Sequence, residues 1–383
     1  NDRFKAWTNL AWSNDDKNTF SPIDDADNQG AALRAGAEFA IPINKADTSV
    51  RLVIGTDNEW LGRTFRPVER FRPVEFERNW NALLVPQDND QVLAGASLGI
   101  RAGKKGMAKL SSTTFRITDR YTGYRQLLES DMHFGKYDVS ATGSLLNTTA
   151  KLVVSDFVRH KARVQRRMKH IIVGLKDEHE HNRFRSDTSG ALLTGSYQFL
   201  DWEAFVQSAD TAKTGFRLSG GQRYEQALKG RSLARSTKAT AYTAAFNFKS
   251  DPRRRVGLSF TYRSLRIIDS LLTAQRPEDT WLGRLEHDLT TLKGALRLNL
   301  FYELGSGLEQ RREFIYVQVP AGQGTYVWID YNDNGLKELN EFEIANFTYE
   351  ADYIRAYTQT NKYVRVFNNQ LSTSLELRPS AVW

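Results

Sequence analysis

The sequence predicts an all-β chain, an antiparallel up-and-down meander built as a transmembrane β-barrel or a segment of one, with long loops at one end. Three observations predict it. Apolar and polar residues alternate with a period of two over long runs. Short and long connections alternate along the second half of the chain, as they do in outer-membrane barrels. Aromatic residues sit on the apolar face beside short turns, where a girdle at a membrane interface places them.

Taken in order, the first segment of note is the acidic loop Asp24-Asp25-Ala26-Asp27-Asn28-Gln29-Gly30. It reads as a hairpin loop, because Gly36 stands where a calcium loop needs a closing Glu. The motif Phe-Arg-Pro-Val then occurs at 65–68 and again at 71–74. Pro67 and Pro73 exclude a central strand there, so 65–80 reads as an ordered crossing or an extended surface segment. Residues 91–102 and 106–118 read as a hairpin around Gly103–Lys105.

In 156–176, Val164, Met168, Ile171, Ile172 and Leu175 fall at helical spacing, yet Ile171, Val173 and Leu175 also share a strand face. Gly174 would cost a helix about 1 kcal/mol, which favours strand. Tyr242, Ala244, Phe246 and Phe248 alternate with Thr243, Ala245, Asn247 and Lys249. Val256, Leu258, Phe260 and Tyr262 alternate with Arg255, Gly257, Ser259, Thr261 and Arg263. From Leu292 to Leu304 the even positions are apolar and the odd positions mostly polar, Arg297 and Asn299 among them. Short turns are expected near 200–201, at Ser250–Arg253 and at Gly305–Gly307. Long polar segments are expected at 177–189, 209–235, 266–288 and 319–350. Phe248 and Tyr302 are the aromatics expected beside short turns.

Composition narrows the function classes. Hydrophobic residues make up 40% of the 383, enough to fold, so disorder is not expected. No run of about 18 apolar residues exists, so no transmembrane helix is expected. The absence of cysteine removes disulfides, zinc–thiolate sites and thiol nucleophiles together. The charge of +8 is mild for this length and suits a solvated surface or acidic partners such as lipopolysaccharide phosphates. The basic runs Arg163–Lys169 and Arg253–Arg255 lack the setting of a nucleic-acid module, so no nucleic-acid partner is expected. No nucleophile elbow, phosphate loop or dinucleotide fingerprint is present, and the chain is expected not to be an enzyme. It reads as one continuous unit over 1–383, and as a fragment of a longer chain.

One motif is specific. Asp330-Tyr-Asn332-Asp-Asn334-Gly335-Leu336-Lys-Glu338-Leu-Asn-Glu341 matches the twelve-residue calcium loop at each fixed position. Calcium takes six to eight hard oxygens. Asp330, Asn332 and Asn334 would offer side-chain oxygens, Leu336 its carbonyl, Glu341 a bidentate closure, and Glu338 a ligand directly or through water. Tyr326–Ile329 before it reads as strand, so this is a calcium loop in a β setting. A second candidate, Asp177-Glu178-His179-Glu180-His181, sets two His on one strand face, but its closing ligands are not evident and a solvated loop is the plainer reading.

Three stretches, Gly322 to Glu343, Ser13 to Phe20 and Glu69 to Trp80, resemble a signature of large, mostly uncharacterised β-rich envelope proteins of Bacteroidota. The resemblance implies a long outer-membrane chain of which this is one part. It transfers no catalytic or binding residue. The function expected is therefore a structural or transport role in a Gram-negative outer membrane, with a calcium-ordered external loop. Outer-membrane lipid and lipopolysaccharide are the expected partners, with other envelope or secretion proteins conceivable on lineage. The alternative is a soluble calcium-binding adhesion module of the cell surface.

Overall fold

The computed structural model describes residues 3–16, 28–44, 49–209, 214–251, 253–275 and 277–381. Its strands are β1 Phe4–Asn14, β2 Gln29–Pro42, β3 Val50–Leu61, β4 Gln91–Ala102, β5 Gly106–Ile117 and β6 Tyr121–Phe134. They continue as β7 Tyr137–Ala150, β8 Val153–Arg167, β9 Ile171–Ser186, β10 Tyr197–Ser208, β11 Thr214–Lys229 and β12 Ser232–Asp251. The last are β13 Arg254–Ile267, β14 Glu278–Thr291, β15 Leu296–Gln318, β16 Tyr326–Trp328, β17 Phe342–Ile344 and β18 Tyr353–Leu377. One helical turn, α1, covers Phe76–Asn79.

Each strand from β1 to β14 pairs antiparallel with the next, and β18 returns along β15. The small hairpin β16–β17 joins this meander through β16, where Tyr326 pairs with Tyr353 of β18. Among the described residues no register joins β1 to β18. The stretch with competing helical spacing is strand on both sides of a tight turn, in which the Met168 N–H donates to the Ile171 carbonyl (2.8 Å).

Residues paired across an antiparallel ladder share a face, so the registers sort the side chains. Phe4, Phe39, Ile54, Leu98, Leu110 and Leu128 form one continuous cross-strand row. Each is 45% to 55% exposed, so this face is not a core. Phe246, Leu258, Leu285, Tyr302 and Leu371 form the matching row in the second half. The opposite face carries the buried Phe115, Ile117, Tyr121, Leu146 and Phe157, together with most of the charged residues of the mid-strands.

The sheet curves around one segment, whose Arg side chains reach strands far apart in the order. Arg72 pairs with Glu59 on β3 and Arg78 with Glu180 on β9. Six strand spacings of about 4.8 Å would separate β3 from β9 by about 29 Å in a flat sheet. A stretch of six residues that includes a helical turn is shorter than that. The face that holds 62–90 is therefore the inner one.

The connections divide by end. At one end lie the β1/β2, β3/β4 (62–90), β5/β6, β7/β8, β9/β10 (187–196), β11/β12, β13/β14 and β15/β18 (319–352) junctions; at the other lie β2/β3, β4/β5, β6/β7, β8/β9, β10/β11, β12/β13 and β14/β15. The longest connections thus gather at one end, as the pattern predicted, and 268–277 and 319–352 lie opposite the turn after Asp251.

Several boundaries differ from expectation. Residues 200–201 lie inside β10, 177–186 belong to β9, most of 209–235 belongs to β11 and β12, and 278–288 of the segment expected at 266–288 belongs to β14. These stretches are polar because they serve a polar inner face, and on β9 also a polar outer row of Asp177, His179, His181, Arg183 and Arg185. Gly305–Gly307 is the interior of β15, not a turn, so Tyr302 does not flank one. The turn is at Leu292–Gly294, where Leu292, Lys293 and Gly294 all have positive φ. Gly305 marks a close approach instead: a Cβ there would stand 2.5 Å from both the ring and the carbonyl of Trp281. The acidic loop at 24–30 lies mostly outside the described residues.

Gly305→Ala should therefore destabilise the β14–β15 ladder by about 1–3 kcal/mol, from left-handed backbone strain plus the clash. Gly143→Ala, where a Cβ meets open space, should change little. Thermal unfolding midpoints of the two variants decide it.

Candidate functional site

The inner face is filled by the chain itself. Between β3 and β4, residues 62–90 turn inward rather than running over the surface. Pro67 and Pro73 lack the N–H that a ladder needs, which keeps this stretch out of the sheet and free to cross it. Arg70 braces the segment by pairing with Glu77 (2.7 Å) and donating to the Pro73 carbonyl (2.9 Å). The Arg72 guanidinium pairs with Glu59 (2.5 Å), donates to Gln91 (2.5 Å) and lies 4.3 Å from the Phe76 ring centre.

The apolar centre follows. Phe76 meets Phe115 edge-on at 5.1 Å, and Trp80 lies 5.5 Å from the same ring. Trp80, Ala82, Phe115, Ile117, Tyr121, Leu146 and Phe157 are all buried. The Tyr121 hydroxyl donates to the Trp80 carbonyl. Asn81, held at φ +49°, exchanges amide hydrogen bonds with Asn182 (2.9 Å each way) and donates to Ser155 (2.9 Å). Arg78 reaches Glu180 at 3.3 Å, and Tyr197 donates to the same carboxylate at 2.7 Å. Strands β5 to β9 thus each contribute inward residues to one plug-like contact.

Beyond the plug the inner wall is a ladder of paired charges. Arg217 and Lys176 share Glu203, Arg223 lies between Asp201 and Glu225, and Arg284 pairs with Glu303 (2.5 Å). Arg223 also stacks 3.8 Å over Phe199. None of these groups was singled out by motif, because they come from different strands. The readable signal was weaker: a duplicated Phe-Arg-Pro-Val with two aromatic-rich flanks in an otherwise polar connection.

The predicted calcium loop is folded at the long-loop end. Gly335 has φ +68° and donates to Asp330 Oδ2 (2.7 Å). The Asn334 N–H faces Asp330 Oδ1 (3.2 Å) and Asn332 Oδ1 (3.1 Å), and the Leu336 N–H donates to Asn334 Oδ1 (2.6 Å). Asn332 donates to Glu338 (2.9 Å). Glu341 is fully buried; its Oε2 accepts from Trp328 Nε1 (3.0 Å) and the Glu338 N–H (3.3 Å), while its Oε1 has no hydrogen-bond partner. Among the described residues no three His, Cys, Asp or Glu side chains gather as a metal group. Within the loop Asp330 accepts from the Asn334 and Gly335 N–H groups, while Glu341 turns its Oε2 toward Trp328. Within this loop Lys337 lies 5.6 Å from the Trp328 ring centre and 5.1 Å from that of Tyr353. Burial holds its ammonium below the usual lysine range, while Asp88 and Asp352 draw it back up. The loop thus sits within the electrostatic reach of Asp88, at the end of the inward segment.

His179 and His181 do share the outer face of β9, with His160 of β8 beside them at 5.3 Å between ring centres. His160 bonds Asp177 and His179 contacts Gln198 (3.2 Å). This is a hydrogen-bonded row on a strand, not the expected solvated loop.

No family model matches the chain, and no curated protein matches it. Among solved structures it is similar to OmpTdeltaL8, a loop L8 deletion mutant of OmpT, an outer membrane protein of Vibrio cholerae. The identity is 12% and the TM-score 0.33, over 74% of this chain and 97% of that one. So remote a likeness carries no argument, and the fold rests on the registers above. The expectation that the chain is not an enzyme is withdrawn. It came from a search for contiguous motifs, and the inner face joins Arg78, Glu180 and Tyr197 from distant positions, an arrangement such a search is blind to.

Trp80→Ala should release the inward segment, since emptying an aromatic site of this kind costs about 3–5 kcal/mol. Trypsin should then cut at Arg70 and Arg78 while the strands stay resistant. Unchanged protection of these bonds would show that the plug does not depend on its aromatic centre.

Proposed function

We propose that the chain is wall and plug of an outer-membrane β-barrel, with a structural or gated-transport role. The observation that carries this reading is the apolar outer face, interrupted by the polar row of β9, over a polar inner one. Soluble sheets put their apolar face in a core; here the apolar rows are half exposed and the polar side is occupied. On β4 the outer row Val92, Ala94, Ala96, Leu98, Ile100 and Ala102 spans ten rises, about 34 Å along the strand. At a tilt of about 40° that is about 26 Å in height, the thickness of a barrel's apolar band. Aromatics flank it: Phe4, Phe39, Phe134, Tyr137 and Phe248 toward the short turns, Trp12, Trp60, Tyr124 and Trp281 toward the long loops. Lipid leaves no backbone edge unpaired. β1 runs toward the long-loop end and β18 away from it, the antiparallel relation that a direct seam requires.

The proposal includes one Ca²⁺ in 330–341, with Asp330, Asn332, Asn334, the Leu336 carbonyl, Glu338 and Glu341 as its donors. Its support is the buried Glu341, which no Lys or Arg pairs among the described residues and whose Oε1 is orphaned. Leaving a buried carboxylate uncompensated is costly, and a cation supplies the missing charge. The ion would order the 319–352 connection and add stability only when free calcium exceeds its dissociation constant.

Two experiments test these parts separately. Leu258→Arg, in the mid-height outer row with Phe246 and Leu285, should block assembly into outer membranes and abolish heat-modifiable gel migration, since Arg at a lipid-facing midplane costs about 2–4 kcal/mol. Asn299→Arg should be tolerated; equal tolerance of both sinks the membrane reading. For the ion, chelation should speed proteolysis within 319–352 and leave the strands intact, and Glu341→Ala should mimic it. A cleavage rate indifferent to calcium would reduce the loop to a turn.

A further inference from the structure

Outside the plug and the calcium loop, the outer face of β10–β13 has a feature that the wall of a barrel does not need. Its apolar surface is interrupted by an open groove of ≈ 520 Å³. The floor is made by small residues in one register, Ala204 opposite Gly220 opposite Tyr242. Trp202, Val206 and Leu218 make the walls with the Tyr242 ring. Gly220 keeps the floor open, since a Cβ there would lie 3.1 Å from that ring.

Toward the long-loop end the same face becomes cationic. Tyr224, Lys238 and Arg266 are in one cross-strand row, and Arg235 follows opposite Gln226. Lys238 and Arg235 each lie 5.4 Å from the Tyr224 ring centre. None of these three cations forms an ion pair among the described residues. Asp279, near Arg266, is the acid beside them. Lys238 stands four rises above Tyr242, about 13 Å along the strand. An apolar groove that far below a cation cluster has the shape and charge of an amphiphile with an anionic head.

We infer that this face binds a phosphorylated lipid of the leaflet at the long-loop end, its acyl chains over Ala204 and Gly220 and its phosphate on Arg235, Lys238 and Arg266. The inference rests on the membrane reading. Charge complementarity selects the head, and the groove selects a lipid over a free anion.

The test uses the full chain reconstituted in phosphatidylcholine vesicles with and without diphosphoryl lipid A, with bound lipid counted by native mass spectrometry after extraction. Wild type should retain lipid A. Arg235→Ala/Lys238→Ala/Arg266→Ala should lose at least ten-fold in retention, and Ala204→Leu, which fills the groove, should lose it with the cations intact. Lys104→Ala/Lys105→Ala at the short-turn end should behave as wild type. Insertion into pure phosphatidylcholine vesicles, equal for all variants, keeps the membrane reading separate. Failure of wild type to insert overturns that reading and this one with it. Normal insertion with undiminished retention by the triple variant overturns the lipid site alone. Displacement of lipid A by an equal concentration of inorganic phosphate would make it an anion site and overturn the assignment to a lipid.

Discussion

The structure depends on one constraint: each strand must keep one row of side chains apolar and the other polar while its backbone is consumed by two neighbours. A ladder pairs nearly all N–H and C=O groups of the inner strands, so nothing in the backbone tells one face from the other. The side chains alone do that, and with a period of two a slip of a single residue would exchange the faces entirely. Cross-strand rows such as Phe4 to Leu128 and Phe246 to Leu371 show the register kept over many strands. Gly305 serves the same end where Trp281 crowds the ladder.

Curvature gives the polar face an inside, and the inside has to be filled. Ion pairs do this along β9 to β15, as in Arg217 and Lys176 with Glu203 and Arg284 with Glu303, so that their charges largely cancel on that face. Along β5 to β9 the filler is the segment 62–90. It supplies an apolar centre around Trp80 and a polar fringe of Asn81, Arg78 and Arg72, each matched to an inward residue of the wall. An isolated sheet of this kind would have no core; the segment provides one.

The long-loop end is where these parts meet. β15 and β18 outrun their neighbours, for β14 reaches only Ser306 on β15 while β18 continues to Gln318. The arm so formed carries the β16–β17 hairpin, the aromatic stack of Tyr316 on Phe342 (4.1 Å between centres) and the loop with Glu341. Lys337 and Tyr353 both feel the charge of Asp88, which places the arm beside the end of the plug. Ordering of the arm and seating of the plug are therefore neighbours in space, though far apart along the chain.

By itself the sequence determined the class of fold, the alternation of faces in β12, β13 and β15, the segregation of long connections and the backbone form of the 330–335 turn. All are local: a period, a turn residue or a spacing read within a few positions. Tertiary structure decided the rest. β9 reads as a loop because both of its rows are polar from Asp177 on, and β11 because Gly220 and Gln222 break its outer row, so the alternation that marks a strand fails there. Gly305 looked like a turn because a glycine needed for a ring from another strand is the same letter as one needed for a bend. The destination of 62–90 was hidden for the same reason: Pro67 and Pro73 say that the segment leaves the sheet, and only the curvature of the strands around it says that it goes inside. Glu341 matched its motif position, yet Trp328 and a buried site decide where its oxygens point.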